Sequence, residues 1–143
     1  MIPPLYNKEK VPKILFEKML RMHELAVTEQ YPNKTGVLSH LTNLFEAYQY
    51  VYYVIVVDHY LHGRKGKIVD WGGFMGQVTV LLRSIGYNCE NNVLSYPSKK
   101  EIFAEFDIPY KLNRKNPKKL PYEDNSVLAI ISSGVLEHVY EHG

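Results

Sequence analysis

Cysteine is almost missing from this chain of 143 residues. Cys89 stands alone, so no internal disulfide can form, and a reducing cytoplasm suits the protein. An excess of one charge is missing too. The formal net charge of +2, from 17 basic and 15 acidic residues, gives no reason to expect nucleic acid or an acidic surface as partner. Long apolar runs are absent. The strongest stretch, 50–57, is far too short to span a bilayer and runs into Asp58 and His59. Residues 1–10 lack the apolar core of a signal peptide. Internal repeats and low-complexity segments are also lacking. What is present is an ordinary globular composition, 45% hydrophobic and 22% charged, at a length that can bury a real core. The expectation is a soluble cytoplasmic protein without a membrane partner.

Two helices are predicted first. Ile14, Leu15, Met19, Met22, Leu25 and Ala26 recur at helical spacing, and Pro12 suits a first-turn position. After a loop over 31–36, Leu41, Leu44, Phe45, Tyr48, Val51, Tyr52 and Ile55 form a second stripe, with Gly63 as the stop. The β-branched, aromatic run 51–57 also fits a strand. From 67 onward strands and helices alternate. Strands are predicted at 67–70, within 88–94, near 109–112 and at 127–132, and helices at 76–84, 98–106 and 135–142. This pattern predicts an α/β fold, with a parallel sheet of about four strands flanked by helices and ligands at the strands' carboxyl ends. The organisation expected is an N-terminal helical segment, 1–66, and a sheet-bearing segment, 67–143, in one structural domain.

The most informative stretch is Lys67-Ile68-Val69-Asp70-Trp71-Gly72-Gly73-Phe74-Met75-Gly76. A short buried strand ends in an acid, and small residues turn the chain into the helix. Glycines let the backbone approach a ligand closely, and the new helix points unpaired N–H groups toward it. With Asp70 at the strand end, the loop suits a nucleotide-like ligand that also carries a cationic group. The dinucleotide spacing of three glycines fails, because Phe74 occupies the second position; a P-loop is excluded because no Lys-Ser/Thr pair follows Gly76. Alone, such a turn can equally be a tight connection.

A second segment adds specificity. Leu120-Pro121-Tyr122-Glu123-Asp124-Asn125-Ser126-Val127 leads into a strand, followed by Ser132-Ser133-Gly134-Val135-Leu136-Glu137-His138-Val139. Together with the glycine loop this resembles the class I S-adenosylmethionine-dependent methyltransferases, in the subgroup with a Leu-Pro-Phe, Asp-Asn-Ser, Leu-Glu-His sequence. The resemblance covers about half the chain, from Lys67 on. It implies a Rossmann-like sheet and S-adenosyl-L-methionine as cofactor. Asp70 would face the methionine ammonium, and Gly72, Gly73 and Gly76 would make the close-packed turn beneath the cofactor. The backbone of Ser132, Ser133 and Gly134 would border the methionine portion. Trp71 either packs on the cofactor or fills the core beneath the turn. Asn116 aligns with an acid that faces the adenine amino group, and its carbonyl can accept the same bond. Glu137 and His138 would sit at the rim, with His138 as the candidate for removing a proton from a small-molecule acceptor.

Several positions depart from the family pattern. Phe74 in place of the middle glycine should narrow the pocket. Val93 stands where the family's acid accepts the ribose hydroxyls, and Glu90 or Asn92 could substitute only if the register slips. Leu128 replaces a common Asp. The family's sheet has seven strands, of which about four are expected here, implying a truncated or partial enzyme. The alternative is a catalytically inactive remnant whose exposed sheet edge, over 127–132, is covered by a partner chain or by self-association. A nucleotide-dependent oxidoreductase is weaker because the glycine spacing fails.

Three further features have plainer explanations. His138-Val139-Tyr140-Glu141-His142 fits a zinc-site spacing but lacks a further ligand, so chance at a polar helix end explains it better and no metal is expected. Lys111, Arg114, Lys115, Lys118 and Lys119 read as a solvated basic connection more readily than as a phosphate site. The 12 tyrosines, four of them between 48 and 53, suit packing or a partner surface better than base stacking.

Overall fold

Asn43 starts the longest helix among the described residues. Its side-chain oxygen accepts from the Phe45 and Glu46 amides at 3.0 and 3.3 Å, satisfying two otherwise orphaned donors. The structure is a computed structural model and describes residues 12–28, 39–94, 100–116, 118–133 and 135. Two compact units divide the chain, Met1–Gly63 and Arg64–Gly143.

The first unit holds helices α1 (Lys13–Thr28), α2 (Ser39–Thr42) and α3 (Leu44–Leu61). Leu15, Met19, Met22 and Ala26 of α1 are buried at the expected spacing. In α3 the buried positions are Ala47, Val51, Val54 and Leu61, whereas Phe45 is 74% exposed. The buried stripe is therefore rotated from the one that the large side chains suggest. Residues 51–57 are helical, not a strand: the Asn43 cap sets the register, and only a helical period puts Val51 and Val54 on one face. Phe16 joins the packing through edge-to-face contacts with Tyr48 and Tyr52, at centroid distances of 5.4 and 6.1 Å. The helix ends where His62 turns left-handed at φ 51° and Gly63 follows at φ 68°.

The second unit is an α/β fold of Rossmann-like character. It contains β1 (Lys67–Trp71), α4 (Gln77–Ser84), β2 (Asn88–Val93), α5 (Lys100–Glu105), β3 (Tyr110–Leu112) and β4 (Ala129–Ser132). The strands form one sheet in the order β3-β2-β1-β4, every pair parallel. Val127 and Leu128, expected in the last strand, precede it; the Leu128 amide instead donates to the Lys67 carbonyl at 2.7 Å. Ile68 and Val69 are completely buried, as a strand inside a parallel sheet requires. Helix α4 buries six consecutive residues, from Gln77 to Leu82. The predicted helix at 135–142 lies, except for Val135, outside the described residues. Among the described residues no helix is long and apolar enough to cross a membrane.

Candidate functional site

The strand order creates a switch. From β1 the chain steps outward through β2 to β3, then returns to place β4 on the other side of β1. In open parallel sheets such a reversal leaves a crevice beyond the carboxyl ends of the two central strands, where no connection crosses. Here those ends are Trp71 of β1 and Ser132 of β4, which are register partners. The glycine loop, 72–76, leaves β1 at this point.

The loop is tightly constrained from below. Gly72 and Gly76 adopt φ of 68° and 77°, and Phe74 between them takes 44°, so three of five residues are left-handed. The Gly72 amide donates to the Asn92 carbonyl at 2.7 Å, and the Gly76 amide to the Gly73 carbonyl at 2.6 Å. Gly73 needs its missing side chain for a different reason: a Cβ would collide with the Asp70 carboxylate and the Asn91 carboxamide. One on Gly72 would strike Val135, so the loop also touches the segment after β4. Gly76 caps α4 without any side-chain hydrogen bond, leaving the helix start to main-chain and distant partners.

Asp70 is such a partner. It has no exposed surface, and Thr79 Oγ1 donates to its Oδ2 at 2.9 Å; the Thr79 main-chain N–H also faces the carboxylate. Burial raises its pKa from 3.8 to about 6, against the lowering effect of the two Thr79 contacts. The same burial, with the Asp70 charge nearby, pushes the Cys89 thiol up to about 12. Asp70 thus bonds the first turn of α4 through Oδ2 from beneath the loop, while its Oδ1 has no hydrogen-bond partner.

Among the described residues, seven buried side-chain atoms around this end of the sheet lack a hydrogen-bond partner: Asp70 Oδ1, Trp71 Nε1, Gln77 Oε1, Asn91 Oδ1, Asn92 Nδ2 and Oδ1, and Ser132 Oγ. Such atoms are rare in folded proteins, so their concentration at one end is informative. Register and alternation sort the strand residues onto two faces. Asp70 and Asn91 share the face on which α4 packs against β2; Trp71, Asn92 and Ser132 share the other.

That second face carries another group. The Tyr122 hydroxyl donates to Glu90 Oε1 at 2.7 Å, and the ammonium groups of Lys111 and Lys67 lie 4.7 and 5.7 Å from its ring centroid. Burial and the Glu90 bond raise the phenol's pKa well above the usual tyrosine range. The Asn92 amide neighbours the phenol and opposes that shift, without reaching hydrogen-bond geometry.

Ser133 and Asn116 are exposed, and the Asn116 carbonyl accepts from the Lys119 amide in a turn at 3.1 Å. Gly134 and His138 lie outside the described residues. Phe74 is half exposed. Val93 closes β2 and is buried; Glu90, engaged with Tyr122, pairs in register with Val69. Among the described residues, no carboxylate stands at the end of β2, where the resemblance implies an acid for the ribose. Sequence reasoning passed over Thr79, Gln77 and Asn91. Its overlooked signal was Asn91-Asn92 inside a buried strand, where two carboxamides oppose strand propensity and imply a local requirement. Among the described residues, no group of three or more His, Cys, Asp or Glu suits a metal ion.

Compared with protein-family models, curated proteins and solved structures, the chain gives no significant match.

Proposed function

We propose that the chain binds S-adenosyl-L-methionine at the switch point between β1 and β4 and supports methyl transfer to a small-molecule acceptor. The observation that carries this reading is the coincidence of the glycine loop, 72–76, with the point where the strand order reverses. The reading is also supported by the two motifs that resemble class I methyltransferases. Gly72, Gly73 and Gly76 would cradle the cofactor with backbone, and the backbone of Ser132 and Ser133 would border it. Asp70 acts indirectly, by holding Thr79 and the loop in place beneath the site. The unpartnered polar atoms fit a ligand with several hydrogen-bonding groups. The residues do not fit a carboxylate-bound ribose, since Val93 offers none. When bound, the cofactor would supply an electrophilic sulfonium methyl group for an acceptor lone pair. A reducing cytoplasmic setting suits the single buried thiol.

Calorimetric titration of the folded chain with S-adenosylmethionine and S-adenosylhomocysteine tests the reading. Saturable binding of both is expected; no binding of either overturns it. A second reading, a non-catalytic partner-binding module, draws on Ile130, which is 53% exposed on β4, the strand that ends the described sheet. Light scattering that reports a stable homodimer, without cofactor binding, would favour it.

A further inference from the structure

One register row crosses the sheet near its carboxyl end: Ser132 on β4, Trp71 on β1, Asn92 on β2 and Lys111 on β3. Paired residues of parallel strands point the same way, so these side chains share the face opposite α4. The first three place an indole N–H, a whole carboxamide and a hydroxyl side by side, their polar atoms buried and making no hydrogen bond, with the Tyr122 phenol neighbouring the Asn92 amide. Asn92 has no exposed surface, whereas Trp71 and Ser132 retain some, so the row opens to solvent at its β1–β4 end. The neighbouring charges are already engaged: Lys111 and Lys67 on the Tyr122 ring, Glu90 on its hydroxyl.

The atoms define a complement. Trp71 Nε1 only donates, the Asn92 carboxamide both donates and accepts, and Ser132 can do either. A carboxylate or phosphate would answer the donors and leave Asn92 Oδ1 buried and unmet, at a cost comparable to a lost hydrogen bond. A neutral group with a donor and an acceptor side by side answers all of them. Trp71 and Ser132 keep some exposed surface, so a flat ring bearing such a group would enter from that end of the row. We infer that this row is a subsite for an aromatic carboxamide or an amino-substituted heterocycle, read by Trp71, Asn92 and Ser132. As a methyl acceptor such a molecule rests on the function proposed above, with the amide as handle and a lone pair elsewhere as nucleophile. As a binding site the row does not depend on it.

Trp71 is the sole tryptophan, so one indole N–H resonance reports directly on the row. The full chain, without S-adenosylmethionine, is titrated with benzamide and with benzoate, molecules of nearly equal shape. Benzamide is expected to shift the indole resonance saturably, with benzoate at least about tenfold weaker. Asn92→Asp, which keeps the acceptor and loses the donor, should weaken benzamide about tenfold at unchanged circular dichroism. If that variant does not fold, Ser132→Ala at the sheet edge replaces it, with a loss of about threefold or more expected. An unmoved indole resonance, equal binding of the two probes, or full affinity in the folded variant would mean that the row holds water alone and would overturn the inference. Cofactor binding without benzamide binding defeats this inference only; benzamide binding without cofactor binding defeats only the methyl-transfer reading.

Discussion

Thr79 Oγ1 donates a 2.9 Å hydrogen bond to Asp70 Oδ2, and both residues are completely withdrawn from solvent. This bond joins the end of β1 to the first turn of α4, across the loop that the functional proposal depends on. A buried carboxylate is expensive unless partnered, and only one of its two oxygens has a side-chain donor. The arrangement makes the loop's integrity sensitive to single atoms.

Thr79→Val tests that sensitivity. The substitution keeps shape and removes the donor, leaving Asp70 with an unmet acceptor in the core. Stability should fall by about 1–3 kcal/mol, read from urea denaturation midpoints at constant slope.

Asp70 should also make stability depend on pH in an unusual direction for a carboxylate. Its folded pKa is raised from 3.8 to about 6, so the folded state holds the proton more tightly than the unfolded chain. The contribution is fully present below 3.8 and is lost as pH rises through about 6, by roughly 3 kcal/mol in total. Asp70→Asn should remove this slope. Denaturation curves of both proteins from pH 4 to pH 7 would then converge at the acid end and separate toward neutrality, with the variant the more stable. Parallel curves would assign the slope to other groups.

Two glycines should respond differently to the same change. Gly73→Ala drives a methyl into Asp70 and Asn91 and should cost about 1–3 kcal/mol, along with most S-adenosylmethionine binding. Gly63→Ala meets open space and carries only the left-handed backbone cost, about 1 kcal/mol, with no effect on ligand binding. Thermal melts and calorimetry of the pair separate loop packing from general backbone strain.

Cys89 should be chemically silent in the native protein. It is buried and its thiol is pushed up to about 12, so almost no thiolate exists at neutral pH. Iodoacetamide followed by intact-mass measurement should show no adduct on the folded chain and one in denaturant. Rapid native labelling would show that α4 and β2 separate readily.

The elements themselves were largely legible in the chain. Helical spacing marked α1, and β-branched runs bounded by glycine and acid marked β1. Alternation of strand and helix after residue 66 marked a parallel sheet, because each pattern follows from local geometry. Side chains closest to the chemistry were harder to place. Asp70 is visible as an acid at a strand end, but whether it faces a crevice or supports a helix depends on Thr79, nine residues away. Thr79 itself looks like one more residue of an apolar helix.

Composition, periodicity and the glycine loop determined the fold class, since these properties belong to neighbouring residues. Tertiary structure decided the rest: the order β3-β2-β1-β4 and the register that gathers Ser132, Trp71, Asn92 and Lys111 into one row. Those four positions span residues 71 to 132, and only the hydrogen-bond ladder between strands brings such distant parts of a chain together.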